Sequence, residues 1–451
     1  MMFNINKKNK ETKSDETKKK RKINYQKIFN FASAGFIIAC CIFYGTRFIT
    51  LYLENYKEEQ IEENTLAKKI KESDLKKIDN EHYFYGDTDN NYVTYSNILW
   101  RIIKVNDNNE IKLISDDFVT ILAYGEDLEY NDSYINTWLN SNDSDNTGIL
   151  ENVFNKNYLV KDAICTDKVN DNKNITCKNK NSDNLIGNLS VYDYINAGGT
   201  NSYLNNETYF YLSTTNDNNE IWYVTNEGKV STTDGKDIYG VRPTITLKSN
   251  VDLISGSGSK EDPYIISDEE NLFGSYVNLD GDIWRIYDLD GDTVKLSLND
   301  YLEVNGEDYK YKYSSKGYYH NDTVHGSLAY YLNNNYLNSL SYKNIINSNI
   351  WSNGIYGSSN NFDYKKTLTT TIDTKVALLS VGNIILNGDL DNYYILTGTS
   401  TSSSLVYTIK SNGTLYGKSS TSTSLIVPTI SIDKNILTTG NGTINDPYGM
   451  E

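Results

Sequence analysis

The chain has 451 residues, of which 38% are hydrophobic, and its formal net charge is −16. This length fits two or three domains, and the apolar content is enough for packed cores, which excludes a chain that is disordered throughout. The charge is uneven: residues 1–27 hold ten Lys or Arg against three Asp or Glu, a balance of +7 that leaves −23 on the rest. An acidic body repels phosphate backbones, so we expect no nucleic-acid partner.

The N-terminal segment has the pattern of a membrane anchor. The Lys-rich residues 1–27 precede an apolar run, Ile28–Thr46, that is long enough to span a bilayer as a helix and is followed by Arg47. We predict a disordered cytoplasmic tail over 1–27 and a single-pass transmembrane helix, a signal anchor in the cell membrane, over 28–49. The positive-inside rule then places the acidic remainder outside the cell. A cleaved signal peptide and a buried core helix are the alternatives.

Residues 50–79 are rich in Glu and Lys and contain no Gly or Pro. Ile61, Leu66, Ile70 and Leu75 recur near helical spacing, so we predict a helical stalk. Two or three heptads are too few to indicate a coiled coil.

Two similar stretches, Tyr239–Tyr264 and Ser424–Tyr448, indicate an internal repeat. They contain all four prolines of the chain. The pair Trp100 and Arg101 recurs 184 positions later as Trp284 and Arg285. Self-similarity at a fixed offset is typical of a duplicated module. We therefore predict two tandem extracellular modules, residues 80–268 and 269–451.

Each predicted module has the same order of elements. Two β-rich runs joined by a turn form a hairpin, helical patterns follow at Ser133–Asn140 and Ser327–Asn333, and a loop-rich middle leads to closing strands. This order predicts an α+β fold. A proline in a strand pattern favours an edge or terminal position, so Pro243 and Pro428 are expected there.

Motifs of the first module carry a family resemblance. They are the hairpin sequence Trp100-Arg101-Ile102, the segments Leu189–Tyr194 and Tyr209–Thr214, the Trp222-Tyr223-Val224 run followed by Gly228, and the closing strand Gly240–Leu247. Together they resemble a family of bacterial exported modules that share a W-R-I hairpin and a V-R-P closing strand. The closing part is similar to formylglycine-generating-enzyme-like and Fibrobacter paralogous domains, and this resemblance implies C-type-lectin-like modules.

The second module departs from this pattern. Val427 stands at the place of Arg242, and Tyr407 stands at the place of Trp222. If Arg242 anchors a buried network in the family, the second module has lost it. The paired cysteines of formylglycine-generating enzymes have no counterpart near these closing strands, so that activity is not carried over.

We expect the repeated residues to serve the module cores. Trp100 and Trp284 lie at matched places in alternating hairpins, which favours core positions over sugar-stacking platforms, with Arg101 and Arg285 on the opposite strand face. The expected core and anchor residues are Trp100, Arg101, Trp222, Arg242, Pro243, Trp284, Arg285 and Pro428.

The cysteines and acidic loops raise other possibilities. Cys165 and Cys177 flank a polar loop, and in an exported protein they would form a disulfide; a zinc site lacks a second ligand pair. The aspartates between Asp280 and Asp292 could bind calcium or form hairpin turns, and we favour the turns. His320 and His325 lie in a loop-like context, so we predict no metal site there.

No signature of a hydrolase, metalloprotease or nucleotide-binding loop is present, and we predict neither an enzyme nor a cofactor. Loops rich in Tyr and Asn combine rigid contact area with adaptable hydrogen bonds. The sequence therefore predicts a non-catalytic cell-surface module that binds carbohydrate or protein. A structural subunit or spacer of an envelope complex and an enzyme acting on envelope polymers are the alternatives.

Overall fold

The computed structural model describes residues 40–50, 64–140, 153–171, 175–266, 271–314, 323–352, 355–356, 371–399 and 404–450. The chain divides into two compact units, residues 1–61 and 62–451. In the first unit, residues 40–50 are helical. The second unit contains all the strands described below.

The expected transmembrane helix over 28–49 is corrected by the structure. Among the described residues, no helix is both long enough and apolar enough to cross a membrane. The predicted tail over 1–27 and the first part of the predicted helix lie outside the described residues.

The stalk prediction is wrong for residues 64–79, which belong to the folded second unit. Helix α1 (Leu66–Lys71) is only six residues long and is capped by the Thr65 side chain. Leu66 and Ile70 are fully buried, so their helical spacing marks a face that packs on the core. The chain then continues as a strand, Lys76–Ile78. Residues 51–63 of the predicted stalk lie outside the described residues.

The described part of the N-terminal half, residues 64–266, contains short strands together with helices α2 (Tyr134–Asn140) and α3 (Val191–Asn196). Its 3₁₀ turns are Tyr130–Asp132, Lys156–Tyr158 and Gly199–Asn201. Its strands in chain order are β1 (Lys76–Ile78), β2 (Glu81–Tyr83), β3 (Tyr92–Tyr95), β4 (Ile98–Asn106), β5 (Ile111–Ser115), β6 (Thr120–Ala123), β7 (Leu159–Val160), β8 (Ile164–Cys165), β9 (Lys180–Asn181), β10 (Ile186–Asn188), β11 (Phe210–Thr215), β12 (Ile221–Val224), β13 (Val230–Thr233), β14 (Ile238–Val241), β15 (Pro243–Leu247) and β16 (Tyr264–Ile265).

The C-terminal half, residues 271–450, contains one composite helix. It begins as α4 (Leu328–Tyr330), continues as a π-helical turn (Tyr331–Tyr336) and ends as α5 (Leu337–Ser339). Its 3₁₀ turns are Lys343–Ile345 and Lys434–Ile436. Its strands are β17 (Tyr276–Leu279), β18 (Asp282–Asp290), β19 (Thr293–Leu298), β20 (Glu303–Val304), β21 (Glu307–Asp308), β22 (Tyr311–Lys312), β23 (Asn349–Ser352), β24 (Ile355–Tyr356), β25 (Thr371–Thr374), β26 (Val376–Leu378), β27 (Tyr393–Thr399), β28 (Leu405–Ile409), β29 (Leu415–Ser419), β30 (Thr423–Ser424) and β31 (Pro428–Asp433).

The predicted α+β class is also corrected, because strands account for 38% of the described residues and helices for 17%. The helical patterns did form helices, but these are short. The loop-rich middles instead supply further strand ribbons, such as β8 with β9 and β23 with β25. The structure is therefore mainly β.

The two halves pair their strands in the same way. One sheet runs β3-β4-β5-β15-β10 in the N-terminal half and β17-β18-β19-β31-β26 in the C-terminal half. The second sheets share the meanders β11-β12-β13 and β27-β28-β29. The hairpins even share a register shift, between Ile102 and Lys104 in one half and between Ile286 and Asp288 in the other. Pro243 and Pro428 each begin a strand, where a missing N–H is best tolerated.

A glycine loop closes the N-terminal half onto strand β3 and the C-terminal half onto strand β17. The carbonyl of Gly258 accepts a hydrogen bond from Tyr92 N at 2.8 Å, and Gly442 accepts one from Tyr276 N at 2.8 Å. The following tyrosine then pairs in parallel with that strand, Tyr264 with Val93. The first glycine of the N-terminal loop, Gly256, leaves no room for a side chain. A Cβ there would lie 2.0 Å from the Pro263 carbonyl oxygen, and the φ of Gly256 is +98°.

The two halves also contact each other directly. The Trp138 indole donates to the Gly382 carbonyl at 2.9 Å, and the Thr120 hydroxyl donates to Asn383 O at 2.8 Å. Ile385 N donates to Val119 O beside the edge strand β6. The halves are therefore parts of one folded unit that share a junction.

The glycine loop yields a stability prediction. Gly256→Ala should lower the free energy of unfolding by about 2–4 kcal/mol, because it combines a disfavoured positive φ with an overlap on the Pro263 carbonyl. Gly291→Ala is the matched control: its φ is +60°, but a Cβ there meets nothing within 4 Å, so it should cost only about 1 kcal/mol. Equal losses in urea unfolding would show that the loop contact is unimportant.

Candidate functional site

The five tryptophans do not form a ligand platform. Trp100 and Trp284 are 0% exposed, and Trp138, Trp222 and Trp351 are also buried. The indole N–H groups of Trp100 and Trp222 donate to main-chain carbonyls of Tyr95 and Val169. These side chains fill cores.

The arginines highlighted by the repeat lie against tyrosine rings and main-chain carbonyls. Arg101 stacks 3.8 Å from the centroid of Tyr92, and Arg285 stacks 4.6 Å from Tyr276, the equivalent residue 184 positions later. Arg285 also donates to Leu386 O and, at 3.4 Å, to Asn97 O of the other half. It therefore contributes to the junction as well as to its own half.

Arg242 is fully buried inside the N-terminal half. It donates to Ser115 O at 3.0 Å, to Leu204 O at 2.7 Å and to the Asn206 side chain at 3.2 Å. The equivalent Val427 is buried without such a network. Arg242 therefore holds in place the loops around the junction cleft described below. It does not form a single site with the other core and anchor residues.

The structure joins Cys165 to Cys177 in a disulfide. Together with Asp167 they make the group of possible metal ligands found among the described residues, but both sulfurs are committed to the bond. The calcium candidates are dispersed: Asp288 pairs with Lys295 at 2.9 Å, and Asp292 pairs with Lys434 at 3.2 Å. His320 lies outside the described residues, and the His325 ring packs against Tyr330.

The C-terminal half contains a cleft of about 640 Å³ that we call the tyrosine cleft. One wall is the start of β18 and the loop after β19, and the other is the composite helix. Leu298, Leu302, Tyr336 and Leu340 are buried in its floor. Its rim carries half-buried or exposed polar residues, namely Asp282, Asn299, Asp300, Glu303, Asn335 and Ser339. An apolar floor with a polar rim is typical of small-ligand sites.

The π-helical turn explains how two tyrosines reach this cleft. Tyr331 and Tyr336 are five residues apart, and in an α-helix they would point in directions about 140° apart. The wider π turn, closed by i→i+5 hydrogen bonds, returns them to nearly the same face. The Asn333 side chain holds this turn by donating to Val376 O at 2.8 Å and accepting from Val376 N at 2.9 Å.

Tyr331 is held rigidly by two further rings. Its centroid lies 5.0 Å from that of Tyr309 and 4.9 Å from that of Tyr311, with interplanar angles of 30° and 21°. Burial, and then the neighbouring Tyr309, raise the pKa of Tyr331 to about 12. The hydroxyl therefore remains a hydrogen-bond donor over the whole physiological pH range, and a ligand meets a pre-oriented ring.

The charge on the tyrosine cleft is negative. Asp282, Asp300 and Glu303 line it, and none of the described residues that line it is Lys or Arg. The Asp282 carboxylate also accepts a hydrogen bond from the Tyr342 hydroxyl. This surface repels anionic ligands and accepts the hydroxyl or ammonium groups of neutral or basic ones.

A second cleft, of about 790 Å³, lies at the junction of the halves, and we call it the junction cleft. Asp116 and Asp117 meet Gly388 and Asp389 there. Burial is the main cause that raises the pKa of Asp117 to about 6, partly opposed by the Phe118 N–H at 2.7 Å and by Arg242. A Cβ on Gly388 would lie 2.1 Å from the Asp117 carboxylate, which shows how closely the halves approach.

A separate surface of three stacked tyrosines lies on the second sheet of the N-terminal half. Tyr239 lies 5.4 Å from Tyr209 and 4.9 Å from Tyr223, and all three are half-buried. We call it the tyrosine face. It lines neither cleft. A substitution in the tyrosine face can therefore serve as a control for a substitution of a tyrosine in the tyrosine cleft.

The sequence analysis identified Tyr- and Asn-rich loops as binding candidates but did not single out the residues of the tyrosine cleft. The run Tyr330–Tyr336 is dense in Tyr and Asn, which was the available signal. The meeting of this run with the loop after β19 depends on tertiary structure. Family models, curated proteins and solved structures were compared with the chain, and none of them matches it. The C-type-lectin-like resemblance stays a prediction that rests on motifs.

The Asp117 carboxyl leads to a pH-dependent prediction. Because its pKa is raised to about 6 in the folded state, the unfolded chain loses this proton at lower pH, and stability falls as pH rises from about 4 to 6. Asp117→Asn removes the free-energy cost of ionising this buried carboxyl. At pH 7.5 we expect the variant to be more stable than the wild type by about 1–2 kcal/mol, and at pH 3.5 to be equal. Parallel urea melts at the two pH values test this, and a destabilised variant at pH 7.5 would contradict it.

Proposed function

We propose that this protein is a non-catalytic binding module for glycans, with the tyrosine cleft as its site. The observation that carries the proposal is that the Tyr331 ring, held by Tyr309 and Tyr311, lines a cleft together with buried apolar side chains and amide and carboxylate groups. A sugar ring has C–H groups that pack on an aromatic face and hydroxyls that need donors and acceptors around its edge. The cleft supplies both kinds of contact.

The size of the cleft favours a small saccharide over a protein partner. A volume of about 640 Å³ lies within the range of small-ligand sites. A stable protein interface instead needs roughly 800 Å² of surface on each partner. The carboxylates Asp282, Asp300 and Glu303 further favour neutral or amino sugars over uronic or sialic acids.

The Cys165–Cys177 disulfide supports a location outside the cytoplasm. Disulfides persist in oxidising compartments and are rare in the reducing cytosol. We therefore propose that the protein is exported and binds glycans at the cell surface or in the surrounding medium. Cysteine quantification on protein recovered directly into an alkylating buffer would test the oxidation state.

The binding experiment uses a glycan array probed with the full-length protein, followed by calorimetry on the best neutral ligand. Tyr331→Ala should weaken binding at least about tenfold, because it removes the stacking surface. Tyr331→Phe keeps the ring and should change the Kd by no more than about two- to threefold. Tyr239→Ala, a half-buried tyrosine of the tyrosine face, is the matched control and should bind like the wild type.

The outcomes separate the alternative functions. Absence of binding to any glycan by a folded protein would contradict the proposal and favour a structural subunit or spacer. Equal loss with Tyr239→Ala and Tyr331→Ala would move the site away from the cleft. Release of shortened products from a bound glycan, detected by mass spectrometry, would indicate an enzyme.

A further inference from the structure

The N-terminal half buries a cluster of charged side chains that the tyrosine cleft does not use. Lys104 and Lys112 face Asp162 and Asp193, and all four are at most 6% exposed. Lys104 Nζ lies 2.7 Å from Asp193 Oδ1, and Lys112 Nζ lies 3.2 Å from Asp162 Oδ2. Burying these four charged groups costs desolvation free energy, and close packing alone does not require them.

Asp162 is held as an acyl donor would be. The Thr244 hydroxyl donates to its Oδ2 at 2.6 Å, and the Thr246 hydroxyl donates to its Oδ1 at 2.5 Å. Its carboxyl packs on Gly187, where a Cβ would lie 2.0 Å from Oδ2. Two hydroxyl donors polarise the carboxyl carbon and would stabilise an oxyanion that forms on it.

Lys112 and Asp193 complete the arrangement. Lys112 Nζ donates to Ala163 O at 2.7 Å, which directs the amine towards Asp162, and Asp193 Oδ2 lies 3.5 Å from the same nitrogen. Burial alone would raise the pKa of Asp193, but Lys104 and Lys112 lower it, so its carboxylate is ionised. A low pKa makes this carboxylate a weak base, so it relays a proton from the Lys112 amine to Asp162 and does not retain it. The nucleophile, the electrophile and a proton acceptor therefore meet in one buried site.

We propose that Lys112 and Asp162 form an intramolecular amide cross-link, with Asp193 as the proton-transferring group. Lys112 loses a proton to Asp193, its nitrogen bonds to the Asp162 carboxyl carbon, and one carbon–oxygen bond of Asp162 breaks. The departing oxygen takes up both protons that the ammonium loses and leaves as water. No oxidant, reductant or further reactant is needed.

The charge balance of the cluster agrees with this reaction. The amide removes one positive and one negative charge from the interior, which relieves the desolvation of both. Lys104 remains paired with Asp193, and Glu81 remains paired with Lys180 at 2.7 Å. The Tyr83 hydroxyl oxygen lies 2.8 Å from Asp193 Oδ1 and 2.8 Å from Glu81 Oε2, and its single proton is donated to one of them at a time. Lys104 also pairs with Glu81 at 2.9 Å, so each remaining carboxylate keeps a partner.

The test is the intact mass of the full-length protein after denaturation and reduction. The wild type should have a mass about 18 Da below that of its sequence, the loss of one water. Proteolysis should then yield one branched peptide joining the segments that contain Lys112 and Asp162, which distinguishes the cross-link from dehydration elsewhere. A wild type at its full sequence mass would overturn the proposal and leave an ordinary buried ion pair.

Variants assign the roles. Lys112→Arg keeps the charge but removes the reactive amine, and should show the full sequence mass. Asp162→Asn should release ammonia in place of water and reach the same cross-linked mass as the wild type. Asp193→Asn should stay at its full mass while folded, an effect that a merely structural role would not produce.

A matched control lies in the C-terminal half. Lys295 and Asp288 form an ion pair of similar length, 2.9 Å, but both side chains are partly exposed. Lys295→Arg should leave the loss of one water unchanged. If this variant abolished the mass deficit, the cross-link would have been assigned to the wrong pair.

Discussion

The structure depends on the closure of each half by its glycine loop. The closing segment of a half must return beside strand β3 or β17. It does so through the main-chain hydrogen bond from Tyr92 N to Gly258 O, or from Tyr276 N to Gly442 O, and through the parallel pairing of the tyrosine that follows. A side chain on Gly258 or Gly442 would overlap the ring of the next tyrosine, Tyr264 or Tyr448. The positive φ of these glycines excludes most other residues. The two copies accordingly keep the same spacing from the first loop glycine to the closing tyrosine, Gly256 to Tyr264 and Gly440 to Tyr448.

Within this shared frame the two halves have different interiors. The N-terminal half contains the buried cluster around Asp193, in which carboxylates and ammonium groups neutralise each other in the absence of water. In the C-terminal half, the position 184 residues after Lys104 is Asp288, whose partner Lys295 reaches the surface. The hairpin therefore determines the backbone in both halves. Side chains that lie between the repeated motifs determine whether the interior is polar or apolar.

Much of the frame could be predicted from sequence, because it is specified by local signals. Alternating patterns with turns at Asn106–Asn109 and Gly291 identified the hairpins, and Pro243 and Pro428 identified strand starts. The stalk prediction failed for a physical reason: the apolar spacing of Leu66 and Ile70 marks one face of a helix, but it does not reveal whether that face meets another helix or a β-sheet. Short helices that pack on a sheet have the same spacing as the start of a long one.

The tyrosine cleft could not be predicted in this way, because it depends on what covers one loop. Asp116–Phe118 and Asp300–Leu302 are equivalent loops that follow the second strand of each hairpin. In the N-terminal half, Gly388 of the other half packs against this loop and brings the Asp117 carboxyl into the junction.

In the C-terminal half the equivalent loop faces the π-helical turn instead, and the space between them is the tyrosine cleft. Its Tyr301 hydroxyl accepts a hydrogen bond from Asp391 N at 2.7 Å, three residues beyond Gly388. The short segment from Gly388 to Asp391 thus contacts the walls of both clefts. A shift of the junction that moves Gly388 also moves Asp391, the hydrogen-bond partner of Tyr301. The geometry of the tyrosine cleft therefore depends on how the two halves pack together.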